Sequence, residues 1–160
     1  MKELVEVLSG LGARSIKTYI QSGNAVFVGP GAGTVSLSAK ISRGIKKRRG
    51  FEPHVLLLGL KDLERVIKNN PFPEALAEPA TLHAGFLAAA PKKPDLQALE
   101  AIKSPSERFQ LIGKVFYLHA PDGIGKSKLA ANAERLLGVA MTDRNWRTVG
   151  KIWEMARALP

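Results

Sequence analysis

Residues Gly113–Lys151 read GKVFYLHAPDGIGKSKLAANAERLLGVAMTDRNWRTVGK. The pattern predicts a strand over Val115–His119, then a loop that contains Gly123 and Gly125, then an amphipathic helix that ends at Gly138. This stretch decides the expected fold class, because the same succession of elements also occurs earlier in the chain.

The earlier succession carries the same landmarks at an offset of about 90 residues. A hairpin turn at Gly23 corresponds to Gly113, and a helix stop at Gly50 corresponds to Gly138. Each half reads as helix, hairpin, helix, strand and helix, and the second half has an additional leading strand, Leu82–Ala88. We therefore expect an α+β protein of two ferredoxin-like (split βαβ) halves with antiparallel sheets, the first half lacking its opening strand.

The expected division of the chain is a first ferredoxin-like half over 1–70, a proline-rich joint over 71–80 and a second half over 81–160. A short apolar strand, His54–Leu58, is predicted near the end of the first half. A sheet without its opening strand has unpaired ladder groups, so the first half is expected to have an exposed sheet edge through which oligomers could form.

The net charge is +10, which favours an anionic partner, either a phosphorylated small molecule or nucleic acid. The chain has no cysteine, and its three histidines, His54, His83 and His119, lack metal-binding spacing, so no metal site and no cofactor are predicted. No apolar run is long enough to span a membrane, and no signal-peptide pattern opens the chain. A cytoplasmic protein is expected.

The loop over 121–128 is the first candidate ligand site. Backbone N–H groups at a helix start attract anions, glycines allow close approach, and lysine and serine side chains add charge and a hydroxyl. The alternative is an ordinary Asp-Gly turn followed by a serine that caps the helix. The Walker A pattern is not satisfied, because Ala120 stands where its first glycine would be. The candidate residues here are Gly123, Gly125, Lys126, Ser127 and Lys128.

Arg144 and Asn145 complete the predicted ligand-binding set. Arg144 could fork onto a phosphate or carboxylate, and Asn145 could bind a ligand or cap the last helix. The basic run 46–49 either complements a helix C-terminus or contacts a nucleic-acid backbone. Tyr117 and His119 share one face of a strand, as in some RNA-binding sheets, but the spacing of a known RNA-binding motif is not met.

Four stretches resemble motifs of the family known as domain of unknown function 1697: TYIQSGNAVF (Thr18–Phe27), NPFP (Asn70–Pro73), YLHAPDGIGKSKL (Tyr117–Leu129) and TDRNWRTVGK (Thr142–Lys151). The resemblance implies two ferredoxin-like halves in a soluble bacterial protein, without an assigned activity. Members of the family usually begin with an additional strand and a loop rich in glycine and asparagine, and no such segment precedes Met1 here.

Three functions stay open from the sequence. The first is a non-enzymatic protein that binds a phosphate-like anion or nucleic acid at the 121–128 loop. The second is an enzyme that acts on a phosphorylated metabolite, although no paired carboxylates and no Ser-His-Asp grouping identify catalytic residues. The third is a structural or protein-interaction module in which the loop only turns the chain.

Overall fold

The computed structural model describes residues 1–21, 23–31 and 33–160. Mixed helices and strands with two antiparallel sheets confirm the predicted α+β class. The helices are α1 Lys2–Gly10, α2 Thr34–Arg49, α3 Leu60–Lys68, α4 Leu96–Ile102, α5 Lys128–Leu137 and α6 Trp146–Arg157. The strands are β1 Arg14–Tyr19, β2 Asn24–Val28, β3 Leu82–Leu87, β4 Arg108–Ile112, β5 Val115–His119 and β6 Met141–Asn145. Within the described residues, no helix combines the length and apolar composition needed to cross a lipid bilayer.

The chain divides into two compact units. The first contains Met1–Arg65 and Lys151–Pro160, and the second contains Val66–Gly150. The proline-rich segment 71–80 lies in the second unit, where Pro73–Ala77 and the residues after it form short 3₁₀ turns.

The second unit is built on a four-stranded sheet with the order β4-β5-β3-β6. Each position of β3 is buried, as expected for a strand with partners on both edges and covered faces. The core on one face joins residues of the sheet to residues of α4 and α5. Its fully buried members are Leu87, Leu99, Phe116, Leu118, Ala120, Leu129, Ala133 and Leu137.

The first unit packs α1 and α2 with the two-stranded β1–β2 hairpin. Val7 and Leu8 of α1 are buried with Ile41 of α2, because apolar residues three and four apart form one helical stripe. The helices approach closely at Gly44, where a Cβ would lie 2.7 Å from Val7 Cγ1. Gly50 ends α2 with φ +77°, as the sequence predicted.

The predicted strand His54–Leu58 is wrong, because residues 54–58 form no β-ladder. In the second unit, the last strand β6 pairs only with β3, the strand that precedes the hairpin. Among the described residues of the first unit, no strand precedes the hairpin. Among the described residues no strand pairs with the segment 54–58, although Val55 and Leu57 still pack on the core.

Candidate functional site

The backbone of the loop between β5 and α5 is determined by Gly123. Its φ is +93°, in the left-handed region that favours glycine, and its N–H donates to the Ala120 carbonyl at 3.0 Å. The chain then makes the 3₁₀ turn Ile124–Lys126 before α5 begins. A Cβ at Gly125 would meet no atom within 4 Å. The loop therefore leaves open space beside Gly125.

Ser127 is the N-cap of α5, as the capping alternative from the sequence expected. Its Oγ accepts a hydrogen bond from the Ala130 N–H at 3.0 Å, and the residue is 7% exposed. The amides of Lys128 and Leu129 have no hydrogen-bond acceptor among the described residues. No acidic residue lies in the first turn of α5, and Lys126 and Lys128 are exposed beside it. This helix start is electropositive.

A cavity of about 290 Å³ lies in the second unit, between the sheet and the start of α5. Two strands supply its sheet side, with Phe116 and Leu118 on β5 and Met141 and Asp143 on β6. The helix side is made of small or short-chain residues, namely Ile124, Gly125, Ser127, Ala130, Ala131 and Ala133. The cavity is thus largely apolar, with a hydroxyl and a carboxylate as its polar side-chain groups.

Asp143 is held by a buried histidine. Nδ1 of His83 lies 3.0 Å from Oδ2 of Asp143, and the exposed fractions of the two side chains are 6% and 38%. Because a carboxylate only accepts hydrogen bonds, Nδ1 is the donor. The two residues lie on adjacent strands, where His83 is opposite Asn145 and Gly85 is opposite Asp143.

Arg144 does not join the 121–128 loop at this cavity. Met141 and Asp143 line the cavity, and successive residues of a strand point to opposite faces, so Arg144 points to the other face of the sheet. There its Nη1 donates to the main-chain oxygen of Asp143 at 2.8 Å, and burial lowers its pKa.

Asn145 has a structural position. Its Oδ1 accepts from the Arg147 N–H at 3.0 Å at the start of α6, and its Nδ2 donates to the Ala80 carbonyl at 2.8 Å. Both ends of the amide are therefore engaged, as the capping alternative from the sequence anticipated. These two bonds fix the orientation of the Asn145 amide.

Three residues of the basic run at the end of α2 pair with acidic side chains of the same unit. Arg48 binds Glu6, Arg49 binds Glu3, and Lys46 lies 2.8 Å from Glu52. The guanidinium of Arg48 and that of Arg49 thus have carboxylate partners, which reduces the charge that they offer to a phosphate backbone.

The predicted aromatic face of β5 is not open. Tyr117 is 1% exposed, its hydroxyl donates to the Val66 carbonyl at 2.7 Å, and burial raises its pKa to about 12. His119 is half-buried, accepts a hydrogen bond from Arg108 at 3.1 Å and lies near Phe72, with 6.3 Å between the ring centroids. The ring of Tyr117 is therefore not available for stacking on a base.

Sequence reasoning did not select His83 or Asp143 as site residues. His83 is a single polar residue in an apolar strand, and Asp143 is an isolated acid in TDRN. No spacing motif links them, because the pairing of β3 with β6 brings them together across 60 positions. A histidine in a strand that is otherwise apolar was the one available signal.

Comparison with known proteins adds a family and a fold. A comparison with curated proteins gives no match to this sequence. The solved structure of the conserved bacterial protein SP0830 from Streptococcus pneumoniae is similar, with a TM-score of 0.70 and 23% identity over 98% of this chain and 88% of that one. Because the identity is only 23%, this similarity shows the fold alone. The model of the family described as "Protein of unknown function (DUF1697)" matches residues 1–117, so the chain belongs to that family.

Proposed function

We propose that this protein binds a small phosphorylated molecule at the 121–128 loop. The observation that carries the proposal is the cavity beside this loop, because Gly125 and Ser127 line it and both were selected from the sequence alone. The phosphate would lie at the helix start, where the N–H groups of Lys128 and Leu129 have no acceptor among the described residues.

The charges around the loop favour one orientation of the bound molecule. Lys126 and Lys128 are exposed and attract an anion, whereas the carboxylate of Asp143 on the sheet side repels one. The phosphate group is therefore best accommodated at the loop, with the uncharged or hydrogen-bond-donating part of the molecule in the cavity.

A small molecule is favoured over nucleic acid by two observations. The strongest basic run, at the end of α2, has carboxylate partners at Arg48 and Arg49. Tyr117, which could have stacked on a base, is buried. A compact anion needs only the few donors at the start of α5, whereas a polyanion needs an extended basic surface.

The test is a titration with inorganic phosphate and with sugar phosphates, followed by amide chemical shifts and by melting temperature. We expect the Lys128 and Leu129 amides to shift, and the paired substitution K126A/K128A to weaken binding. The matched control is K92A/K93A, which removes the same charge from two exposed lysines outside the loop. Equal weakening by the two variants, or no shift of the Lys128 and Leu129 amides, would contradict the proposal.

A variant that changes the shape of the loop without changing its charge gives a second test of the proposal. Gly125→Val places a branched side chain at the loop, where the added Cβ meets no atom within 4 Å. We expect normal folding and weaker binding of a sugar phosphate, because the side chain narrows the mouth of the cavity. Unaltered binding with a folded variant would place the ligand elsewhere.

We also propose that the second unit is ferredoxin-like and that the first repeats part of the same plan. The second unit has the succession β3-α4-β4-β5-α5-β6 and the sheet order β4-β5-β3-β6, which support a split βαβ unit. The first has helix, hairpin and helix in the same order. An experimental structure in which α1-β1-β2-α2 does not superimpose on α4-β4-β5-α5 would refute the duplication.

A second candidate function, pairing with another protein chain, is favoured by the edge of β2. The outer edge of β1 carries Arg14 and Lys17 and an irregular register between them, features that discourage strand addition. β2 reads NAVFV without a charge, and among the described residues no further strand pairs with it. An uncharged, apolar edge of this kind accepts an added strand.

Sedimentation at several protein concentrations tests this second candidate. We expect concentration-dependent association that the edge substitution Val28→Lys reduces. Val35→Lys serves as the matched control, since Val35 is 83% exposed at the start of α2. A monomer at every concentration, or equal effects of the two substitutions, would exclude self-association through this edge.

A further inference from the structure

We infer that the cavity beside α5 holds an apolar group that carries a nitrogen donor, such as a protonated amine, and that Asp143 is its acceptor. The inference rests on the proposed function in one respect. The amine and the phosphate that binds at the 121–128 loop would belong to the same molecule. Asp143 is then the residue that selects the ligand, and His83 is the residue that positions Asp143.

The lining of the cavity favours an apolar body. Phe116, Leu118 and Met141 form most of its sheet side, and the methyl groups of Ala130 and Ala133 face them from α5. In other proteins a dry apolar cavity of about 150 Å³ holds a benzene ring. A volume of about 290 Å³ therefore accommodates one ring with a short substituent.

Asp143 gives this apolar cavity a single charged group. Its Oδ2 is bound to Nδ1 of His83 at 3.0 Å, and one hydrogen bond leaves most of the acceptor capacity of the carboxylate unused. The side chain of Asp143 is 38% exposed, so its carboxylate also faces solvent, and the apolar neighbours on the cavity side strengthen its attraction for a cation placed there. An N–H donor on the ligand is thus the group that the cavity favours.

His83 gives the carboxylate a fixed orientation. The imidazole is held between strands with 6% of its side chain exposed, so it has little freedom to move. Gly85, two residues further along β3, pairs with Phe116 on one side and with Asp143 on the other. The absence of a side chain at Gly85 leaves room for Met141, whose Sδ would lie 2.4 Å from a Cβ at that position.

Three small probes test the inference on the whole chain: benzylamine, benzyl alcohol and phenylacetate. They share a ring and differ in charge. The reporters are the ¹³C-labelled methyl groups of Ala130, Ala131 and Ala133, which line the cavity. We expect benzylamine to shift these methyl signals at the lowest concentration, benzyl alcohol at a higher one and phenylacetate least.

Substitutions of Asp143 and His83 distinguish a role in binding from a role in packing. Asp143→Asn should weaken benzylamine binding about tenfold and change benzyl alcohol binding little, because only the charge is removed. His83→Asn retains an N–H donor near the position of Nδ1 and should preserve the preference for benzylamine, whereas His83→Leu should reduce it. Folding of each variant is checked by its amide spectrum.

Equal affinity for benzylamine and phenylacetate, or the same benzylamine affinity in folded Asp143→Asn, would overturn the inference. Inorganic phosphate is titrated into a separate sample without any ring compound, with the Lys128 and Leu129 amides as reporters. If phosphate does not shift these amides but benzylamine shifts the alanine methyl signals, the phosphate site is refuted and the amine site stands. If phosphate shifts the amides but benzylamine does not bind, the amine site is refuted and the phosphate site stands.

Discussion

Met141 lies directly over Gly85, on the neighbouring strand. A Cβ at Gly85 would come within 2.4 Å of Met141 Sδ and 3.1 Å of its Cγ, so no side chain fits there without moving the methionine. The two residues belong to β3 and β6, whose pairing also brings His83 to Asp143. The same strand contact therefore determines both the packing and the polar group of the cavity.

Gly85→Ala should lower the free energy of unfolding by about 1–3 kcal/mol, because the added methyl group forces Met141 out of its position. Urea denaturation measures the change. The double variant Gly85→Ala/Met141→Ala should recover part of it. Gly150→Ala is the control, since a Cβ there meets nothing within 4 Å in α6 and alanine is a better helix former. A loss of stability in Gly150→Ala equal to that in Gly85→Ala would contradict the packing argument.

Tyr117 should ionise only in strong alkali, since burial raises its pKa to about 12. The folded-state pKa is above the ordinary value of 10.0, so the free energy of unfolding should fall as pH rises from about 10 to about 12. The chain has two tyrosines, and Tyr19→Phe leaves Tyr117 as the single phenol for an absorbance titration. Ionisation near pH 10 in the folded Tyr19→Phe chain would show that the ring is not buried.

Tyr117→Phe removes the hydrogen bond to Val66 and should lower stability by about 1–2 kcal/mol. Val66 lies in the last turn of α3, where carbonyl groups lack an intrahelical donor, so the lost bond leaves its oxygen without a partner. Thermal unfolding at neutral pH gives the difference. An unchanged melting temperature would indicate that water replaces the hydroxyl.

His119 should make the protein less stable in acid. Burial and then the neighbouring Arg108 guanidinium lower its pKa below the ordinary 6.5, and Nδ1 accepts from Arg108 only when it is unprotonated. The unfolded chain binds the proton more readily, so the free energy of unfolding should decrease as pH falls below about 6.5. His119→Asn can still accept from Arg108 but does not titrate, so it should flatten this part of the profile.

Below that range, Glu74 adds a separate loss of stability. Its pKa is lowered by its own backbone hydrogen bond and then by Arg108, so stability also decreases as pH falls through the region below 4.5. A His119→Asn chain that retains the whole pH dependence between neutral pH and about 5 would contradict the assignment to His119.

Hydrogen exchange should distinguish the two sheets. The amides of Ala84 and Gly85 lie in β3, which has a paired strand on each edge, whereas β2 pairs on one edge among the described residues. We expect part of the β2 amides to exchange much faster than any central β3 amide. Equal protection throughout a monomeric sample would contradict the open edge of β2.

Much of the fold was accessible from local sequence signals. The strand β5 was predicted with its observed bounds, Val115–His119, and Gly50 and Gly138 end their helices in the left-handed conformation that glycine permits. The candidate site was only partly accessible. Gly125 and Ser127, which line the cavity, were selected because a loop and a helix cap are local patterns, whereas Asp143 and His83 were not selected, because they are distant in sequence.

By itself, the sequence determined the types of most elements, their glycine stops and the electropositive start of α5, since each depends on residues a few positions apart. The tertiary structure alone decided which side chains meet. Strand order and register bring His83 to Asp143 and direct Arg144 to the opposite face of the sheet. The segment 54–58 has a strand-like sequence but forms no β-ladder with the described residues. A ladder requires a partner strand, which no local pattern provides.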